Sequence, residues 1–150
     1  MISEQLSFLP DSLPDSHPFP PARERTVWNA LPQRVKDRFL KAGEAALAAT
    51  IAPLPLSLWL DFTHTGRRAA WEDAYFSRRA RLCALVCAEC VEHTGRFLGA
   101  IADTVWALCE ESAWQLPAHN SYIRDTPQLP LPDTCLLYTS PSPRDRQKSR

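Results

Sequence analysis

The stretch from Tyr75 to Asn120, YFSRRARLCALVCAECVEHTGRFLGAIADTVWALCEESAWQLPAHN, constrains the fold most. Its apolar residues recur at helical spacing on both sides of Gly95 and do not alternate as in a strand. Before Gly95, the residues Leu82, Cys83, Leu85, Val86, Cys87, Cys90 and Val91 leave a narrow polar strip around Arg81, Ala88 and Glu92. That pattern predicts a helix buried over most of its circumference. Phe97, Ile101, Val105, Leu108 and Cys109 then form a second apolar stripe, with Gly95 as the C-terminal cap between the two helices.

Prolines and glycines punctuate the rest. Pro10, Pro14, Pro18, Pro20 and Pro21 crowd residues 1–22, which predicts an extended or disordered arm. Arg23 to Leu31 reads as a short helix with Val27, Trp28 and Leu31 on its apolar side. Pro32 opens a longer one to about Thr50, in which Val35, Phe39, Ala42, Ala46 and Ala49 share a face and Gly43 weakens the middle. Pro53 and Pro55 stop it, and LSLWLDF, with Leu58, Trp59, Leu60 and Phe62, predicts a short buried helix. His64, Thr65 and Gly66 turn the chain into a long helical segment over 67–94, with room for a kink near Tyr75. After Trp114, Pro117, Pro127, Pro130 and Pro132 block any long regular element.

Residues 135–150, CLLYTSPSPRDRQKSR, break with this organisation. CLLYTSPSPRD resembles the conceptual translation of a transposase sequencing adapter, so the segment is set aside as a non-native, disordered tail. The natural reading frame is then expected to continue beyond Thr134. The division that follows is an arm over 1–22, a helical domain over 23–134 and the tail.

Charge argues against a nucleic-acid partner. Of 17 basic residues, Arg144, Arg146, Lys148 and Arg150 lie in the tail, against Asp145 of the 17 acidic ones, so the body carries 13 basic and 16 acidic side chains. Binding through phosphates requires a concentrated basic face, which this body lacks. The N-terminus has no signal-peptide pattern and no segment has the length and apolarity of a membrane span, so a cytoplasmic location is expected. Five cysteines, an odd number with four at helical positions, suit reduced thiols better than a disulfide framework.

Three constellations could carry chemistry. Cys83, Cys87 and Cys90 spell CxxxCxxC, a spacing that resembles the cluster-binding triad of radical S-adenosylmethionine enzymes. The intervening residues are helix formers without glycine, whereas cluster ligands converge from a loop. Core packing is therefore the expected role, with His93 excluded from a tetrahedral zinc set by single-helix geometry; no metal or cofactor is expected. Arg78 and Arg79, with Arg67 and Arg68, form a basic cluster that either pairs with Glu72, Asp73 or Glu89 on a solvated face or grips an anionic ligand through planar guanidinium groups. In the loop from Trp114 to Asn120, an indole for stacking sits beside His119 and Asn120 for hydrogen bonding; the same loop could equally be a structural plug. Ser-His-Asp patterns, phosphate loops and Gly-rich nucleotide fingerprints are absent from the sequence.

The series LDF at 60–62, Gly66-Arg67, the arginine doublet after Tyr75-Phe76, the AEC helix, GRFL at 95–98 and W-x-x-PAHN at 114–120 resembles the N-terminal helical portion of heparinase II/III-like proteins. The resemblance covers roughly Trp28 to Pro132. It implies an all-α fold of antiparallel helical hairpins, the opening arc of an incomplete α/α toroid. It also implies a parent polysaccharide lyase that cleaves acidic, uronate-containing polysaccharide by β-elimination. Trp114, His119 and Asn120 would line the substrate groove, with Arg78 and Arg79 beside them. The catalytic residues would lie downstream, so this fragment alone is expected to be inactive. The alternative is a small helical module that binds a protein partner without catalysis.

Overall fold

A computed structural model describes residues 19–119. The arm up to Pro18, Asn120 and the tail from Cys135 lie outside the described residues, so their expected disorder and roles have no structural counterpart. Among the described residues every regular element is helical. Five α-helices follow in order: α1 (Arg25–Asn29), α2 (Gln33–Ala48), α3 (Leu56–Thr65), α4 (Ala69–Glu92) and α5 (Leu98–Cys109), and a 3-10 turn spans Pro117–His119. No helix among them is long and apolar enough to cross a membrane.

The boundaries fall where the punctuating residues place them. Pro32 caps α2 and Pro55 caps α3, both with extended ψ, because proline fixes φ without needing an amide partner. Gly66 ends α3 in the left-handed region at φ 74°, its amide bonded to the Phe62 carbonyl at 2.9 Å. The turn after α4 departs from the expected Gly95 cap. His93 takes the left-handed position at φ 57°, and Gly95 follows with φ 84° inside the turn. α4 runs as one uninterrupted helical span past Tyr75.

Packing corrects the expected helix faces. On α4 the fully buried positions are Leu85 and Ala88, with Glu89 close behind, while Cys83 is exposed and Val86 largely so. The expected polar strip thus contains the packing centre. On α2 the side chains that meet this centre are Leu40 and Ala46, with Gly43 buried between them, in place of the face through Ala42 and Ala49. On α5 the buried positions are Phe97, its N-cap, and Thr104; Val105 is exposed. The physical reason lies in Gly43, where an added Cβ would overlap the Ala88 side chain and press on Phe97. Helices approach most closely where their side chains are smallest, and counting apolar residues gives glycine and alanine no weight.

Arginines from other elements close the helix ends. The last carbonyls of any helix lack intrahelical partners, and these helices carry no basic residue in their own last turns. Arg81 of α4 donates through Nη1 to the Ala46 and Ala49 carbonyls at the end of α2, and through Nε to Thr104 Oγ1 at 3.1 Å. Arg25 of α1 donates to the Cys90 and Val91 carbonyls at the end of α4, at 2.6 and 2.9 Å. Arg78 of α4 reaches the Ala107 carbonyl near the end of α5 at 3.2 Å. Each pairs a cation with the negative end of a helix.

Candidate functional site

Two apolar clusters divide the core, and the candidate site adjoins one of them. That cluster is Trp59 of α3 with Trp71 and Tyr75 of α4, backed by Leu54, Leu58, Leu60, Ala113 and Leu116. The Trp59 and Trp71 rings meet edge to face at 5.1 Å. Tyr75 links the cluster to the loop after α5, because its hydroxyl donates to the Trp114 carbonyl at 2.9 Å. Arg79 lies over the Tyr75 ring at 3.2 Å from its centroid, a cation–π contact.

Trp114 is thereby held at the backbone while its side chain stays 64% exposed. Its indole Nε1 donates to the Leu108 carbonyl at 3.2 Å. An indole tied by its N–H keeps a fixed orientation and leaves a ring face toward solvent. Trp106, 69% exposed, is tied in the same way through Nε1 to Glu110 Oε1 at 2.8 Å. Gln115 and Pro117 are buried beneath the loop. His119 closes the 3-10 turn by its backbone; its side chain and Asn120 lie outside the description.

Arg78 and Arg79 converge on Glu111, whose side chain is 1% exposed. Arg79 grips it in two-point fashion, Nη1 to Oε1 at 3.2 Å and Nη2 to Oε2 at 2.7 Å. Arg78 adds Nη1 to Oε1 at 3.3 Å and binds the Ala52 carbonyl through Nε at 2.7 Å. The doublet is therefore partnered neither by Glu72 and Asp73 nor by Glu89. Glu72 pairs with Arg68 at 3.4 Å. Glu89 is buried and accepts the amides of Gly95 and Phe97 at 2.7 and 3.1 Å, so it caps the start of α5.

Glu111 is the residue that sequence reasoning missed, while Glu89 and Arg81 read there only as members of a polar face. A signal existed for the first. Glu110 and Glu111 stand together just past the C-terminus of α5, where the helix dipole disfavours negative charge, so a dedicated cationic partner was required.

A cavity of about 220 Å³ opens beside this network, lined by Leu54, Trp71, Arg78, Ala107, Glu110, Glu111 and Ser112. Trp71 is 6% exposed, and its Nε1 is buried with no acceptor among the described residues.

Cys83, Cys87, Cys90 and Cys109 are free thiols. No group of three or more His, Cys, Asp or Glu side chains among the described residues is placed to hold an ion. Cys83 is exposed and Cys87 and Cys90 are half-buried, so they flank the core and do not fill it as expected. Burial pushes the Cys87 thiol up, with Cys83 adding to the effect, and burial likewise raises Cys90. Both remain protonated near neutral pH, the form that neither attacks nor ligates.

No family model and no curated protein matches the chain.

Proposed function

We propose that this chain is the N-terminal helical portion of a heparinase II/III-like polysaccharide lyase, one wall of a groove for acidic polysaccharide, with no catalytic group of its own. The observation that carries this reading is Trp114, an exposed indole fixed through Leu108 and Tyr75 and therefore shaped as a stacking platform for a sugar ring. The order of contacts supports the hairpin arrangement of a toroid arc. Arg79 meets Glu111, Arg81 meets Thr104 and Glu89 meets Phe97, a register that descends along one helix as it ascends along the other. Arg78 and Arg79 shape the wall through Glu111, while Trp114, His119 and Asn120 face the glycan.

Affinity electrophoresis of the full chain in gels containing alginate, hyaluronan or heparin tests the reading. The expected result is retardation by a uronate polymer, abolished by Trp114→Ala, with no unsaturated product released. Equal migration with and without every polymer overturns it.

The second reading, a helical interaction module, draws on the outer face of α5. Leu98 is 56% exposed and Val105 42%, and with Trp106 they make an apolar stripe at helical spacing that suits a protein partner.

A further inference from the structure

We infer that Cys83 and Cys87 form a two-sulfur site for a soft monovalent cation of the Cu(I) class, bound across one turn on the outer side of α4. The inference rests on these thiols and is independent of the lyase reading.

Residues four apart on a helix share a face, with Cβ atoms ~5–6 Å apart. Two sulfurs on opposite sides of one ion lie about 4.6 Å apart, twice a metal–sulfur bond of ~2.3 Å, which side chains one turn apart span without unwinding the helix. The backbone fixes this spacing, because α4 is continuous from Ala69 to Glu92. Cys83 is exposed and Cys87 half-buried, and both are free thiols, so an ion reaches them from solvent. Cys83 is also among the groups whose charge raises the Cys87 thiol, as befits neighbours on one face.

The surroundings select the ion. On α4 the positions one turn from either thiol are Arg79, Ala80, Ala84, Val86, Cys90 and Val91, with neither carboxylate nor imidazole among them, and Arg79 is turned to Glu111. Hard cations such as Mg²⁺ and Ca²⁺ require oxygen ligands, which these positions do not offer. Zinc closes a tetrahedron of four ligands, whereas no three His, Cys, Asp or Glu side chains among the described residues are placed to hold one ion. Arg25 keeps Cys90 from serving as a third ligand, since its guanidinium donates to the Cys90 carbonyl and sets a positive charge beside that thiol. A pair of thiolates without oxygen or nitrogen partners suits Cu(I). Binding is a proton exchange: each thiol releases its proton to solvent, two sulfur–metal bonds form and no electron is transferred.

Competition for Cu(I) between the reduced full chain and bicinchoninate, whose purple complex loses colour as the metal is withdrawn, provides the test. The parent should withdraw Cu(I) in a tight one-to-one phase, and X-ray absorption of that species should count two sulfur neighbours. Cys83→Ser and Cys87→Ser should each weaken the phase about 100-fold, the smaller end of what linking two binding groups gains, with unchanged far-ultraviolet dichroism. Cys90→Ser, Cys109→Ser and Cys135→Ser should leave it in place. Absence of the tight phase in the parent overturns the inference, as does full affinity in Cys83→Ser or Cys87→Ser, or an equal loss in any of the other three variants. Three or more sulfur neighbours overturn it as well, and that count on the parent decides the matter where a variant alters the fold. A doubled mass on size exclusion that appears only with the metal would place the ion between two chains and overturn the site within one helix.

Discussion

Glu111 is one carboxylate serving two arginines inside the fold, and that ratio makes it sensitive. Its side chain is 1% exposed against 12% and 29% for Arg78 and Arg79, so removing it strands positive charge in a partly dehydrated setting. Glu111→Ala should cost roughly 3 kcal/mol, the lower end of what breaking a buried pair costs; a urea midpoint equal to that of the parent would refute this. Tyr75, beside it, gives a pH-dependent counterpart. Burial raises its phenol above the ordinary tyrosine value, Glu111 raises it further and Arg79 opposes both. The folded state therefore holds this proton more tightly than the unfolded one. Its stabilisation is complete below about pH 10 and is lost as pH rises through the elevated folded value. Tyr75→Phe gives up the bond to Trp114, worth about 0.5–1.5 kcal/mol near neutrality, and should lose less stability than the parent as pH rises above about 10. Parallel alkaline urea titrations compare the two slopes; identical slopes would exclude the phenol. Of this network the sequence made Trp114 and the arginine doublet legible, because residue type alone suggests stacking and charge. The convergence on Glu111 was hidden, since the partners lie 32 and 33 residues apart and meet between α4 and the loop after α5.

Between α2 and α4, closeness of approach is set by a single missing side chain. Gly43 costs about 1 kcal/mol of helix propensity relative to alanine, which on an isolated helix makes Gly43→Ala stabilising. In the folded chain the new methyl overlaps Ala88 and presses on Phe97, so the sign reverses. The variant should be destabilised by about 1–3 kcal/mol, read as a lower thermal midpoint; a higher midpoint would mean that the two helices separate freely. Arg81→Met tests the polar side of the same contact by leaving the Ala46 and Ala49 carbonyls without their donor. The expected loss is about 1–3 kcal/mol, and Arg81→Lys should restore only part of it, because an ammonium lacks the guanidinium fork that spans the α2 carbonyls and Thr104. Element boundaries were legible at this scale because Pro32, Pro55 and Gly66 act locally through φ. Helix faces were not. A 3.6-residue period ranks side chains by apolarity, whereas Gly43, Ala88 and Thr104 owe their burial to small size or to a partner on another helix.

Across the whole molecule, the two apolar clusters share one helix and little else. Trp59, Trp71 and Tyr75 lie toward the start of α4, and Leu85, Ala88 and Phe97 toward its end. Ten residues, about 15 Å of helix, separate Tyr75 from Leu85. The groups between them that cross to other elements are chiefly Arg78, Arg79 and Arg81, which act through hydrogen bonds and charge. Cooperativity requires that losing one cluster expose enough apolar surface to destabilise the other, and a polar bridge transmits little of that penalty. The outer side contributes no additional coupling, because Phe76, Val86, Leu98 and Val105 remain substantially exposed. The chain should therefore melt over a broad range with probe-dependent midpoints. Trp59 and Trp71 report the first cluster through emission that shifts red on exposure, against a background from Trp28, Trp106 and Trp114 that moves less. Far-ultraviolet dichroism reports α1 to α5 together. The two curves are expected to separate, and Gly43→Ala should move the dichroism midpoint more than the fluorescence midpoint, because its damage falls in the second cluster. Coincident curves in the parent, with calorimetric and van't Hoff enthalpies in agreement, would show instead that the arginine bridge couples the two clusters into one cooperative unit.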